Sequence, residues 1–274
     1  MFDRTELYIE WLKSDPAGFA IYMAYTVAVV LTSLILHECA HGYMALRCGD
    51  PTAKMMGRLS LNPAKHLDPI GTLCMFLLGF GWAKPVPVNP RNFGNYRRDD
   101  FLVSIAGIVT NLTLFLICSA VSIIVNSFLW QPNFITIVKF VYGSAEGLVN
   151  VFGSSEACMY AQGIAYGASF EGMEPYFQHA WLIYVQRFLL LMADVNLSLA
   201  IFNFLPIPPL DGYHLLNDTL FQGKLGLNSK LFQMTRVLLV VLIFTGVLND
   251  ILIKANEFVG SAVVRTLLML TGQL

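Results

Sequence analysis

His37-Glu38-Cys39-Ala40-His41 gathers two imidazoles and a carboxylate in a single short run. On a helix, positions i and i+4 share a face one turn apart. That spacing suits two imidazoles on one Zn2+, with Glu38 beside them to take a proton from the metal-bound water. The setting strengthens this reading. Between Pro16 and Leu46 the only formally charged residue is Glu38. A carboxylate in an apolar stretch of bilayer length is costly, and an intramembrane ionisable group marks a functional site by default. The competing reading, two core histidines partnered by a glutamate, weakens in lipid, where unpaired His and Glu are disfavoured. Cys39 points to another face of the same helix and is not expected to be a ligand.

A catalytic zinc needs a third protein ligand and one open position for water. The candidate is Asp211, in Asn203-Phe204-Leu205-Pro206-Ile207-Pro208-Pro209-Leu210-Asp211-Gly212. Three prolines break a long apolar helix just before it, and an unwound stretch can turn a carboxylate inward. The plainer alternative is a turn aspartate, because Asp-Gly is a common turn.

The elements that must position these groups belong to a membrane protein. The chain has 274 residues, 56% hydrophobic and 13% charged, against about 25% charged in soluble domains. Apolar runs of bilayer length predict membrane helices over roughly 18–46, 101–129, 181–205 and 236–256. The expected class is an all-α polytopic membrane protein of about four to six transmembrane helices. A re-entrant or extended hairpin is expected after the HExxH helix. The net charge of -1 is uninformative about partners, and no basic patch or nucleic-acid motif appears, so nucleic acid is not expected. The five cysteines are scattered, without a CxxC pair or a disulfide framework. Acidic residues offset Arg4 and Lys13 at the start, so no cleavable signal is read there. The expected organisation is a single domain over 1–274. It comprises a catalytic core over about 18–216, an extracytoplasmic connection over about 130–180 and C-terminal helices over about 236–270.

Charge bias bears on topology. Basic residues cluster in 47–65, 84–98 and 224–236, whereas the 130–180 connection holds only Lys139 against four glutamates. If the apolar stretch 69–83 re-enters rather than spans, all three basic clusters share one side, as the positive-inside rule favours. The HECAH motif then lies near the cytoplasmic end of its helix. His37, His41 and Asp211 reach the same depth. Full spanning would put Asp211 across the membrane from the histidines. Trp82, Trp130 and Trp181 are expected at the membrane interface.

The chain resembles the site-2 protease family of intramembrane zinc metalloproteases, in its compact form without a PDZ insertion. The matching pieces are HECAH at 37–41, Asn62 through Thr72, Gly81 through Pro90, Ala106-Gly107-Ile108-Val109-Thr110-Asn111, and Asn203 through Gly212. They run in the family's order from about 31 to 216. The resemblance implies that His37, His41 and Asp211 hold the zinc and that Glu38 is the catalytic base. It also implies a three-helix core opening toward the cytosol, single-span membrane proteins as substrates, and a prokaryotic plasma membrane. Ile108 stands where many relatives have proline, which leaves the chemistry intact.

Hydrolysis also needs a donor to the oxyanion besides the metal. Asn203 or Asn111 could supply it; the alternative is that both amides pack polar helix interfaces, the role favoured for Asn111 as a supporting residue. Lys84, Pro85, Val86, Pro87 and Val88 could hold an unwound substrate by strand addition, or form a rigid interfacial loop. His66 resembles a family position near the site and is read as a supporting residue. Two rivals differ in class. A membrane zinc carrier would not need Glu38 in register, and a non-catalytic scaffold would not need the complete ligand set.

Overall fold

The structure is a computed structural model that describes residues 2–69, 71, 83–134, 136, 176–226 and 228–272. Its principal helices are α1 (Phe2–Ser14), α2 (Pro16–Arg47), α3 (Thr52–Met55), α4 (Tyr96–Leu129), α5 (Leu182–Phe204), α6 (Asp211–Thr219), α7 (Ser229–Phe244) and α8 (Val247–Leu270). Among the described residues no strand forms, and the only β pairings are isolated bridges at Leu67–Ala83 and Trp130–Phe177. The fold is all-α. α2, α4 and α5 are each long and apolar enough to cross a membrane. Most of the expected 69–83 hairpin and most of the 130–180 connection, Trp82 included, lie outside the described residues.

Local sequence explains where the helices begin. Asp15 caps α2 by accepting from the Gly18 N–H at 2.9 Å, and Pro16 sits at the first helical position, where its missing N–H costs nothing. α4 starts earlier than hydropathy alone suggests, because Asn95 and Asp99 cap it reciprocally. The Asn95 side chain accepts from the Arg98 N–H at 3.2 Å, and Asp99 accepts from the Asn95 N–H at 2.8 Å. This polar cap extends the helix N-terminally beyond its apolar run. The stretch expected as one helix over 236–256 is instead two, α7 and α8, with a break at Thr245 and Gly246, where φ is 82°.

α4 displays the pattern that lipid selects. Ser104, Asn111, Ser119, Ser122 and Asn126 are buried, whereas Leu112, Leu116, Ile117, Val121, Ile124 and Phe128 are exposed. The outward face is apolar, and the inward face mixes small and polar residues with apolar ones such as Ile108 and Phe115, as suits a helix in lipid.

The chain forms two compact units. One comprises Leu31–Leu112 and Ser198–Leu252; the other comprises Phe2–Val30, Thr113–Leu197 and Ile253–Leu274. In the first, Ile108, Ala200 and Leu215 pack α4, α5 and α6 together. Leu210, Leu239 and Leu248 join the α5–α6 connection to α7 and α8. In the second, α1 lays Trp11 against Phe19 and Tyr22 of α2. Polar pairs there satisfy one another between helices: Gln186 donates to Asn126 at 2.9 Å, and Asn256 donates to Asp194 at 2.6 Å. Trp130 stacks on Phe134, and Trp181 is exposed.

A loop hub in the first unit carries the 83–92 segment. Asp50 is fully buried and accepts from the Thr52 N–H and hydroxyl, the Asn92 amide at 2.7 Å and the Asn89 N–H at 2.7 Å. Burial alone would raise this carboxyl, but the donors outweigh it and hold Asp50 below the usual carboxylate range. Asp50→Ala would strand the Asn89 and Asn92 donors, at an expected cost of about 1–3 kcal/mol. The check is the thermal unfolding midpoint in detergent. An unchanged midpoint would show that the hub does not support the fold.

Candidate metal centre

The periodicity of α2 sets the first two ligands. His37 and His41, one turn apart, bring their Nε2 atoms to 3.0 Å with the rings edge to face. The third comes from the first residue of α6. Asp211 Oδ2 lies 3.4 Å from His37 Nε2 and 3.3 Å from His41 Nε2. Zinc ligands at about 2.0–2.1 Å from a tetrahedral ion stand roughly 3.3 Å from one another, so the spacing matches. Asp211 Oδ2 is buried and makes no hydrogen bond, as befits an atom meant for a cation. The His41 Nδ1–H donates to the Val103 carbonyl at 2.8 Å. That bond fixes the tautomer and leaves the Nε2 lone pair for metal. Among the described residues this is the one group of at least three His, Cys, Asp or Glu side chains placed to hold a metal. The residues fit Zn2+ and leave a fourth position open.

Two glycines let these pieces close. A Cβ on Gly107 of α4 would lie 2.5 Å from His37 Cε1 and 2.5 Å from His41 Nε2. A Cβ on Gly212 would collide with the Phe204 carbonyl, so this glycine admits the start of α6 against the end of α5. The prolines between Phe204 and Leu210 stop α5, and α6 restarts at Asp211 with Leu210 extended and buried before it. The expectation of a broken helix that turns Asp211 inward therefore has a structural counterpart. The three donors lie together, while the 69–83 stretch expected to re-enter lies mostly outside the described residues.

Glu38 sits beside the ligands, and its Oε2 accepts from the Val86 N–H at 2.7 Å. The segment over 84–88 is thus hydrogen-bonded to the expected base. Arg58 donates to the Lys84 and Pro85 carbonyls, and the Lys84 N–H donates to the His66 carbonyl at 2.8 Å. Lys84 and Pro85 are exposed, Val86 is buried, and Pro87 and Val88 are half-buried. His66 is buried, with its Nε2 at 2.7 Å from the Ser60 carbonyl. Cys39 Sγ also approaches that carbonyl, away from the ligand set. Asn203 donates to the Leu199 carbonyl one turn back at 3.0 Å. Asn111 is fully buried, and neither polar atom of its amide has a hydrogen-bond partner.

Several contributors carried little or no sequence signal. The Val103 carbonyl has none, being backbone. Gly107 lies in one of the motif pieces quoted above, but its contact with the histidines could not be read from that motif. α6 also presents His214 and Asp218, one and two turns beyond Asp211. His214 Nδ1 donates to Asp100 at 3.0 Å, and that carboxylate holds the imidazole above its ordinary value. Burial, then the nearby Asp100, pushes Asp218 up to about 6.

This donor set, carried on lipid-compatible helices, defines a membrane metallohydrolase. The pattern of peptidase family M50 matches residues 25–245. The protein named "Putative zinc metalloprotease YwhC" of Bacillus subtilis is 38% identical over 202 residues, covering 73% of this chain and 71% of its own length. "Putative zinc metalloprotease Rip2" of Mycolicibacterium smegmatis is 30% identical over 114 residues, 39% of this chain and 44% of that protein. The Mycobacterium tuberculosis protein of the same name is 32% identical over 115 residues, with the same coverage of 39% and 44%. No solved structure matches. The chain belongs to peptidase family M50, the site-2 protease family. It is a zinc metalloendopeptidase and an integral membrane protein.

Gly107→Ala would drive a methyl group into both imidazoles, and zinc content is expected to fall by about tenfold or more, the scale at which shells around ligands matter. Metal analysis of the purified variant checks this; a full complement of zinc would contradict the packing of α4 on the histidines. Asp218 supplies a pH test. Its raised folded value means that stability is lost as pH rises from the ordinary 3.8 to about 6. Asp218→Asn should remove that loss, unfolding at higher temperature than wild type near about pH 7.5 and equally near about pH 4. Parallel midpoints across the range would exclude the effect.

Proposed function

We propose that this protease cleaves peptide bonds in or beside the membrane segments of other proteins, single-span ones foremost, as in regulated intramembrane proteolysis. The observation that carries the reading is the His37–His41–Asp211 donor set, held by helices whose composition suits lipid. Zinc, when bound by these three residues, supplies Lewis acidity to the carbonyl and to the attacking water. Glu38 is the general base. With Oε2 held by the Val86 N–H, its other oxygen takes the proton from water and returns it to the leaving amine. Asn203 retains one amide proton beyond its bond to Leu199 and offers it to the oxyanion.

A transmembrane substrate buries its peptide groups in its own helix, so cleavage requires local unwinding. Lys84, Pro85, Val86, Pro87 and Val88 receive the unwound chain by strand addition. Their anchoring by Arg58, His66 and Glu38 supports a fixed docking edge next to the base. His66 supports the site from behind. The chain acts as a single membrane-embedded domain in a prokaryotic plasma membrane. Its site lies toward the cytoplasm, a reading supported by the basic residues Arg47, Lys54, Arg58, Arg97 and Arg98 close in sequence to the site-bearing helix ends. The lipid bilayer and single-span substrates are its partners.

The test pairs zinc content with cleavage of a single-span substrate in detergent. Wild type is expected to hold about one zinc and cut. Glu38→Gln should keep the metal and lose about two orders of magnitude or more in rate. Asp211→Ala should lose zinc affinity. Cleavage by Glu38→Gln would remove Glu38 as the base. Zinc uptake into vesicles that survives Glu38→Gln, with no cleavage by wild type, would favour a zinc carrier.

A further inference from the structure

The structure assigns a further catalytic donor: we propose that the Asn111 side-chain amide hydrogen-bonds the scissile carbonyl oxygen as it gains negative charge. The inference rests on the protease reading above. Three observations meet at this residue. Its side chain is fully buried, and neither Nδ2 nor Oδ1 has a hydrogen-bond partner. Folded proteins rarely keep a buried amide unpaired without a use for it. Asn111 also stands one turn beyond Gly107 on the same face of α4, and Gly107 is the residue that abuts His37 Cε1 and His41 Nε2. Helical side chains lean toward the N-terminus of their helix and cover the preceding turn. The Asn111 side chain therefore leans toward the turn of α4 where Gly107 lets the two imidazoles come up against the helix backbone.

The chemistry follows from that placement. Attack of water on the carbonyl carbon forms one C–O bond and moves the π pair onto the carbonyl oxygen. Nδ2–H donates to that oxygen without giving up its proton, and the bond relaxes when the C–N bond breaks and the carbonyl reforms. A donor fixed before the reaction strengthens most in the transition state, so it acts on turnover more than on binding. Asn203 offers a weaker basis for acting alone, because one of its amide protons is committed to Leu199. An interhelical packing role for Asn111 would need a hydrogen-bond partner on another helix, and its amide makes no such bond among the described residues.

The experiment uses the full-length protein with Asn111→Leu, Asn111→Asp and Asn111→Ser. Asn111→Leu keeps the side-chain volume and removes the donor; Asn111→Asp keeps the shape and can donate only while its carboxyl is protonated, so it is read at a pH where it is ionised; Asn111→Ser keeps a shorter donor. Zinc content, unfolding midpoint, kcat and KM are measured for each, together with binding of a phosphinic peptide that mimics the tetrahedral state, read by thermal shift. The expected result is a kcat loss of about 10²–10³-fold for Asn111→Leu and Asn111→Asp, with zinc retained and KM little changed. Asn111→Ser should recover part of the rate. Phosphinic-peptide affinity should fall in step with kcat/KM.

Unchanged kcat, or unchanged phosphinic-peptide affinity in folded, zinc-loaded variants, would overturn the assignment. So would a loss of rate that only follows lost zinc or a lowered midpoint. If Asn111→Leu does not fold, the isosteric Asn111→Asp decides. Failure of the protease reading is distinct, because it would appear as no cleavage by wild type. In that event phosphinic-peptide binding still compares the Asn111 variants with wild type.

Discussion

Two imidazoles and two carboxylates placed in apolar surroundings set the terms for the rest of this structure. None of them can be buried singly without a large desolvation penalty. A shared cation answers that problem for His37, His41 and Asp211, whose donor atoms lie within 4.8 Å of one another. Glu38 is answered separately, by the Val86 N–H. The neighbouring features serve that convergence. The proline break after α5 lets Asp211 turn toward the histidines, Gly107 removes the side chain that would block them, and the Val103 carbonyl fixes one ring.

The same constraint explains the irregular backbone around the site. Chain that leaves a helix near lipid must have its N–H and C=O groups satisfied by protein. Arg58 does this for the carbonyls of Lys84 and Pro85, His66 for the Lys84 N–H, Glu38 for the Val86 N–H and Asp50 for the Asn89 N–H. The side chains of Arg58, Glu38 and Asp50, with the His66 carbonyl, thus hold a segment that forms no strand of its own. Stability and the proposed chemistry meet at Glu38, which anchors this segment and is the residue proposed as the base.

Away from the metal, polar residues follow one rule. Asn126 meets Gln186 and Asp194 meets Asn256, while the outward faces of the long helices are apolar. In lipid the hydrophobic effect does not draw helices together, so packing and interhelical hydrogen bonds must do so. The half-exposed His214, paired with buried Asp100, ties α6 to α4 near Asp211 in the same way. The low charge content of the sequence is the compositional trace of this arrangement.

Much of the site was legible because it is local. An i, i+4 pair of histidines lies on one face of any helix, and prolines break any helix, whatever surrounds them. The spans of α2, α4 and α5 follow from runs of apolar residues, which report the solvent directly. The junction between α7 and α8 was not legible, because the hydrophobic pattern runs on through Thr245 and Gly246. Nor could the sequence separate the two candidate amides, which are the same residue type at the end or middle of apolar helices. Asn203 bonds within its own helix, while Asn111 is left unpaired beside a glycine that meets the histidines. The sequence by itself determined the candidate donor types, the carboxylate beside them and the membrane setting, since these depend on composition and short-range periodicity. Only the tertiary structure decided the meeting of Asp211 with the histidines, the grip of Val86 on Glu38 and the close approach of Gly107, since each depends on distances between residues far apart along the chain.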